Sequence, residues 1–326
     1  MVTIDIIGGG VAGLALAAGL DPHRFEVRIH ERAPERHDLG TVYGLWPHAL
    51  RSLHDLGLAD PVRECARPAT GVRVSTSTGR RLGGGTAPAD SWLIQRPDLL
   101  AVLGRAKPAA VQSFDGAVED PTTLTGDLVV GADGVHSVTR AAAWGCPGRR
   151  TGAMALRGVV NGDIDEFAPG DPWLQEFWGR GSLFGISANT RGVTNWFASM
   201  PEFRATKSEV LAWAQHHFAQ FPAPVQAVLE RVDPERVLLN SIMETPTLTR
   251  YVRRRFVLVG DAAHAMSPNM GRGACEALVD GATLAQCLSD FPLDVALREY
   301  QRRRWGRSQA VRAASGVVRR IALNWP

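Results

Sequence analysis

The chain begins with Val2-Thr3-Ile4-Asp5-Ile6-Ile7, a short apolar run that stops at Gly8-Gly9-Gly10 and gives way to Val11-Ala12-Gly13-Leu14-Ala15-Leu16-Ala17-Ala18. That order reads as a buried strand, a glycine turn and a helix. Phe25, Val27 and Ile29 then alternate with polar residues up to His30-Glu31-Arg32, which predicts a second strand. A strand–helix–strand unit implies parallel pairing through a right-handed crossover. Leu50, Leu53 and Leu56 recur at helical spacing with Gly57 just beyond, and another helix is predicted from Asp98, after Arg96-Pro97. Leu128-Val129-Val130 reads as a strand running into Gly131-Ala132-Asp133-Gly134. Between Gly152 and Met200 the texture changes to alternating runs at 155–160, 182–187 and 193–199, which predict an inserted antiparallel sheet. Residues 207–218 form an amphipathic pattern. Phe256-Val257-Leu258-Val259 is a further buried strand ending at Gly260-Asp261, with a helix expected over 273–288. The tail from Asp294 reads as helix, and its eight arginines between Arg298 and Arg320 read as a solvated face.

Composition narrows the class. With 326 residues, 45% hydrophobic and 21% charged, the chain can bury one large core or two joined ones, which excludes disordered and disulfide-scaffold classes. A net charge of +3 is too balanced to argue for a nucleic-acid partner. Cys65, Cys146, Cys275 and Cys287 show neither CxxC nor metal-ligand spacing and are expected to be reduced structural thiols. The His216-His217 pair has no supporting ligand spacing, so no metal is expected. The uncharged run at 6–20 is too short to span a bilayer and no basic segment precedes it. A cytoplasmic protein with no membrane partner is expected.

The chemistry sits at three glycine turns. Gly8-x-Gly10-x-x-Gly13 follows a strand and opens a helix: Gly8 makes the turn, Gly10 lets backbone approach a pyrophosphate, and Gly13 lets helix and strand pack closely. The helix N-terminus offers N–H groups to phosphate. Glu31, 18 residues past Gly13, can accept from ribose hydroxyls at the end of the second strand. Together these point to a dinucleotide without separating NAD from FAD. Two more strands end in Gly131-Ala132-Asp133-Gly134 and Gly260-Asp261-Ala262-Ala263-His264, where open α/β sheets bind ligands. The last turn continues through Pro268-Asn269-Met270-Gly271-Arg272-Gly273-Ala274 into a helix, whose N-terminus suits a ring that gains negative charge on reduction. That describes a flavin better than a nicotinamide.

In these three ordered fingerprints the sequence resembles the class A flavoprotein monooxygenases, the fold family of para-hydroxybenzoate hydroxylase. The second includes Ser137 and Arg140, and Arg96 in Ile94-Gln95-Arg96-Pro97 resembles the family arginine on the flavin side. Leu45-Trp46-Pro47-His48 and Trp178-Gly179-Arg180-Gly181 resemble the branch of zeaxanthin epoxidases and FAD-dependent urate hydroxylases. The resemblance implies an α/β fold: a Rossmann-like FAD-binding domain (1–68, 92–151, 245–292), an inserted antiparallel-sheet substrate domain (69–91, 152–244) and C-terminal helices (293–326). It implies that Val11, Ala12, Glu31, Arg32 and Val118 hold the AMP half of FAD, and that Asp133 supports the pyrophosphate region. Asp261 would accept from a ribityl hydroxyl, and backbone from Gly271 through Arg272 and Gly273 to Ala274 would face the flavin, with Pro268 near the reacting ring.

The implied reaction uses NAD(P)H, O2 and a flavin hydroperoxide to hydroxylate or epoxidise a small aromatic or polyene-like substrate. No second Gly-x-Gly-x-x-Gly exists in a strand–helix setting, so NAD(P)H would bind transiently. Trp178, Phe184, Trp196, Phe197 and Met200 are candidates for the substrate wall, and Tyr43, His48 and Arg157 for contacts at the reacting centre. A flavin dehydrogenase or reductase without oxygen transfer, or a shortened non-catalytic relative, are the alternatives; monomer and homodimer both remain open. The sequence departs from the family pattern at His48, where asparagine is common, at Arg272 in place of glutamine, and at Glu276 in place of glutamine or asparagine. Leu183 stands where urate hydroxylases place an arginine, which disfavours urate.

Overall fold

The computed structural model describes residues 1–33, 42–164, 173–190 and 192–326. Val2–Ile7 pairs in parallel with Phe25–Glu31 on one side and Leu128–Gly131 on the other, as the apolar runs predict. Gln112–Asp115 extends this sheet beyond Phe25–Glu31, Phe256–Leu258 extends it beyond Leu128–Gly131, and Val252–Arg253 closes that edge antiparallel. Parallel strands end on a common edge, so Gly8, Glu31, Ala132 and Gly260 are delivered to one side of the sheet.

Helix Val11–Ala18 lies against the long helix Gly273–Asp290 through small residues. A Cβ on Gly281 would stand 2.3 Å from the Ala12 carbonyl oxygen, so the two backbones meet where no side chain fits. Tight approach removes voids, and voids in a core cost stability.

A second sheet has seven strands, in the order Leu238–Glu244, Arg149–Asn161, Val193–Pro201, Ser182–Thr190, Leu174–Gly179, Gly71–Thr76 and Arg81–Thr86. All its contacts are antiparallel except one: Leu174–Gly179 runs parallel to Gly71–Thr76, where two separate stretches of chain join. Lys207–His217 and Ala223–Leu229 cover one face and complete a core with Leu156, Phe177, Phe184, Trp196 and Met200. Lys207–His217 begins with a capping box, Thr206 Oγ1 accepting from the Glu209 N–H while Glu209 accepts from the Thr206 N–H.

This packing corrects part of the expected substrate wall. Phe184, Trp196 and Met200 are 0% exposed and face the helices, with Phe184 stacked on Trp196 and edge-on to Phe218. Alternation along a strand then puts Phe197, Arg157 and Trp178 on the opposite face, where the end of the tail packs Leu323 on Ala153 and Ala155 and sets Trp325 edge-on to Trp178.

The tail is one helix, Leu293–Leu323, and it corrects a second expectation. Its arginines are not a uniformly solvated row: Arg302 is exposed, whereas Arg304 and Arg312 are buried under the helix. No helix among the described residues is long and apolar enough to cross a membrane.

Candidate functional site

The three glycine turns touch. Gly8 has φ +110°, and a Cβ there would lie 2.3 Å from the Ala132 carbonyl oxygen, which fixes the first turn against the second. The Ala132 N–H donates to the Ile7 carbonyl at 2.8 Å and the Val259 N–H to the Gly131 carbonyl at 3.0 Å. Gly260, at φ +58°, brings the third turn against Ala12, to whose Cβ an added Cβ would come within 3.1 Å. A Cβ on Gly273 would be 4.0 Å from Asp261 Oδ1, so the start of the long helix faces that carboxylate.

Gly10 differs from its neighbours. Its φ of −84° is open to any residue, and a Cβ there would meet no atom of the described residues within 4 Å. Neither backbone geometry nor internal packing demands glycine, so the space in front of it is available for a ligand to approach the backbone. Neither helix N-terminus at this edge is capped by a side chain: Val11–Ala18 and Gly273–Asp290 both leave N–H groups directed outward.

The carboxylates are disposed around that space. Glu31 accepts from the Gly9 N–H at 2.7 Å and the Ala33 N–H at 2.8 Å, which holds it at the strand end with acceptor capacity to spare. Arg32 beside it is exposed, and Val118 follows Gln112–Asp115, whose Asp115 is in register with Glu31. Asp133 Oδ2 accepts from the Thr139 N–H and hydroxyl, both at 3.1 Å, while Oδ1 is buried with no partner among the described residues. A buried carboxylate oxygen left unpaired calls for a donor from a ligand.

Ser137 and Arg140 serve the frame rather than the ligand. Ser137 caps helix Val138–Trp144, and Arg140 is fully buried, donating to the carbonyls of Val135, Cys146 and Ala262. The guanidinium thus ties the second turn to the third.

Tyr43, Arg157 and Asp261 converge from the strand Val42–Leu45, the large sheet and the third turn, close enough that each feels the others' charge. Asp261 is exposed to solvent on one side while protein surrounds its carboxyl on the others. That enclosure raises the Asp261 pKa, raises that of the Tyr43 phenol, and lowers that of the Arg157 guanidinium. Trp46 Nε1 donates to the Gly271 carbonyl at 3.4 Å and Cys275 Sγ to the Gly44 carbonyl at 3.1 Å, docking the Tyr43 strand on the third turn. Burial pushes the Cys275 thiol up to about 12, which keeps it protonated and inert. Pro268 and Gly271 are exposed at the rim, Gly271 in the left-handed region at φ +59°. Arg96 opens helix Arg96–Ala106, which packs on Val11–Ala18.

Behind the third turn lies a charged set that sequence reasoning missed. His48 Nε2 is 3.2 Å from both Glu276 Oε1 and Arg272 Nη2, and Arg272 donates to Glu276 at 3.0 Å. Arg304, from the tail helix, bonds Glu276 Oε2 and Asp280 Oδ1, each at 2.6 Å. Asp280 Oδ2 accepts from His264 at 2.6 Å and from the Gly260 N–H at 2.8 Å. Burial alone would raise both carboxyls; His48 and Arg304 on Glu276, and His264 and Arg304 on Asp280, outweigh it and hold both low. His264 is held up by the same pairing despite its burial, and burial holds His48 down. Glu276 and Asp280, one helical turn apart on the long helix, were the available signal; Arg304, on the tail helix, gave none.

Comparison with known proteins decides what this cradle holds. Residues 104–314 match the FAD binding domain family, and the aurachin C monooxygenase/isomerase of Stigmatella aurantiaca is 30% identical, with 92% of this chain and 84% of that one covered. The chain belongs to the class A flavin monooxygenases. It is therefore an FAD-dependent oxidoreductase. The 3-amino-4-hydroxybenzoate 2-monooxygenase of Streptomyces cremeus is also 30% identical, over 95% of this chain and 85% of that one. Among solved structures, Klebsiella pneumoniae HpxO complexed with FAD and uric acid shares the fold with a TM-score of 0.85, at 24% identity, covering 99% of this chain and 89% of that one. The open space at Gly10, the unpaired Asp133 oxygen and the uncapped helix ends of this flavoprotein fit FAD.

Proposed function

We propose that this flavoprotein uses NAD(P)H and O2 to hydroxylate or epoxidise a flat aromatic small molecule held against the Arg157–Phe197 face of the seven-stranded sheet. The observation that carries the reading is that Tyr43, Asp261 and Arg157, from three separate elements, lie close enough to act on one another's charge.

FAD, when bound, supplies the redox chemistry by taking two electrons from NAD(P)H and activating O2. In this reading the backbone of Gly10, Val11 and Ala12 holds the pyrophosphate, Glu31 and Arg32 the AMP ribose, and Val118 packs near the adenine. Asp133 supports the pyrophosphate through its unpaired oxygen, and Asp261 accepts from a ribityl hydroxyl. The N–H groups from Gly271 to Ala274, at the start of the long helix, stabilise negative charge at the flavin's pyrimidine edge. Arg96 stands on the flavin side and Pro268 near the reacting edge.

Toward the substrate, Arg157 supplies a cation whose attraction is strengthened by its low-dielectric surroundings, and Tyr43 stays a neutral hydrogen-bonding phenol. Phe197 and Trp178 provide apolar surface that keeps water from the reacting centre. An aromatic substrate accords with the aminohydroxybenzoate named for the Streptomyces cremeus relative.

The test is NAD(P)H oxidation by the FAD-loaded protein over a panel of aromatic acids, phenols and heteroaromatics, with 18O2 labelling of the product. Substrate-stimulated oxidation with one labelled oxygen per product is expected. Product without label would mean dehydrogenation and overturn the reading.

A further inference from the structure

The register of the large sheet puts four residues in one row on the face away from its two helices. Arg157 is opposite Phe197, Phe197 opposite Gly185, and Gly185 opposite Glu176. Paired residues share a face, so the row runs from the Arg157 guanidinium, beside Tyr43 and Asp261, out to the Glu176 carboxyl. Three inter-strand steps separate its ends, roughly 14 Å between backbones at ~4.8 Å per step.

The middle of the row is an aromatic floor. Gly185 has no side chain, and the Phe197 ring fills the vacated place: a Cβ on Gly185 would be 2.1 Å from Phe197 Cζ. The ring therefore lies across the strand and brings an apolar surface up to Glu176. The Glu176 carboxyl is 6% exposed and accepts a hydrogen bond from the Trp178 indole N–H at 2.8 Å, its one hydrogen-bond partner among the described residues. No cation pairs with it among those residues, unlike the buried Glu276 and Asp280. Burial pushes its pKa up to about 7, so it passes between acid and carboxylate under mild conditions. A carboxyl kept this dry and this poorly paired is costly, and a ligand donor would offset the cost.

We propose that Glu176 is a substrate-recognition residue, whose carboxylate accepts a hydrogen bond from a ring N–H or hydroxyl at the outer end of a flat substrate of at least two fused rings. This rests on the aromatic monooxygenase reading above and deepens it: the flavin-proximal end lies toward Arg157, the body lies over Phe197, and the donor meets Glu176. The indole of Trp178 occupies one carboxylate oxygen and turns the other to the ligand.

The experiment uses pairs of isosteres that exchange N–H for ring oxygen: 4(1H)-quinolone against chromone, and indole against benzofuran. Each is titrated at pH 8 into the FAD-loaded protein, and binding is read from the flavin absorption change. The N–H member of at least one pair is expected to bind at least tenfold more tightly, because the oxygen analogue sets a lone pair against the carboxylate. In Glu176→Leu the preference is expected to fall within about twofold, with flavin content unchanged and the oxygen analogue bound no more weakly than by the wild type. Glu176→Gln keeps the shape and is the second variant, expected to lose at least about threefold of the preference. Equal binding of both members by the wild type, or a preference that survives both substitutions, overturns the assignment of Glu176 and leaves the aromatic reading standing. Binding of none of the four compounds overturns the fused-ring substrate class and this inference with it.

Discussion

Replacing Arg304 with methionine removes one guanidinium and leaves two buried carboxylates, each short of a partner. Arg304 is 2% exposed, and Glu276 and Asp280 are both 0% exposed, so water cannot take its place. Breaking a buried pair costs about 3–5 kcal/mol, chiefly as the penalty on the charge left behind. Glu276 keeps His48 and Arg272, and Asp280 keeps His264 and the Gly260 N–H, so the lower end applies, about 3 kcal/mol. Against a total stability of ~5–15 kcal/mol that is a large fraction, and at roughly 2–4 °C per kcal/mol the melting temperature drops by about 6–12 °C. Urea and thermal unfolding of the FAD-free protein measure it. Adding Asp280→Asn to Arg304→Met removes one stranded charge and is expected to recover at least ~1 kcal/mol of the additive loss. Arg302→Met, on the exposed side two residues away, is the control, with no measurable change expected. A loss under about 0.5 kcal/mol for Arg304→Met, the range of an ordinary surface substitution, would refute the reasoning.

Gly10→Val is expected to weaken FAD binding more than tenfold while leaving the apoprotein melting temperature unchanged, whereas Gly13→Ala, whose Cβ would stand 2.1 Å from the Gly8 carbonyl oxygen, is expected to lower the melting temperature itself; fluorescence titration and calorimetry separate the two. Trp196→Ala is expected to cost about 3–5 kcal/mol of stability with KM nearly unchanged in the folded fraction, and Phe197→Ala to raise KM severalfold with little loss of stability, a split that fails if Trp196 lines the substrate site. The His264 pKa is raised in the folded state, so its pairing with Asp280 stabilises fully below the unfolded value of about 6.5 and is lost as pH rises through the folded value. The stability difference between wild type and His264→Gln should therefore shrink from pH 6 upward, and a difference that grows over pH 6.5–9 contradicts the assignment. Asp280, with its pKa lowered, gives the opposite limb: its contribution is present above about 3.9 and lost as pH falls through the folded value.

What was legible in the sequence is what local spacing encodes. Gly8, Gly10 and Gly13 with Glu31 announced a strand, a turn, a helix and a strand-end acid, and the parallel pairing of Val2–Ile7 with Phe25–Glu31 follows from that order. The inserted sheet was visible as alternation, yet its faces were not, because alternation says that Trp196 and Phe197 point apart without saying which side the helices cover. Lys207–His217 settles that side by burying Val210, Leu211 and Ala214 against Trp196. The parallel junction between Leu174–Gly179 and Gly71–Thr76 was illegible for a different reason: it joins stretches about a hundred residues apart, and no local pattern reports such a pairing. Arg304 was misread because helix periodicity assigns a charged residue to solvent unless a buried acid waits for it, and the acids stand on another helix.

The positions where this chain departs from its family pattern are not independent. His48 lies far in sequence from Arg272 and Glu276, but its Nε2 is 3.2 Å from a polar atom of each, and Arg272 and Glu276 are themselves bonded. Exchanging neutral amides for an arginine and a glutamate one helical turn apart keeps the local charge balanced, and the low dielectric makes either change alone expensive. Arg304 then balances the second oxygen of Glu276 and passes the constraint to Asp280, which fixes the Gly260 N–H and with it the turn that presents Asp261. The charged tail helix in this way braces the third glycine turn: a substitution at Arg304 is expected to disturb the position of Asp261 through Asp280 and the Gly260 N–H. Glu276→Gln alone would leave Arg272 without its carboxylate and Arg304 with Asp280 alone, whereas Glu276→Gln with Arg272→Gln restores the neutral amides that the family resemblance implies. The double variant is therefore expected to melt above the Glu276→Gln single variant, and one that melts no higher would separate these positions again.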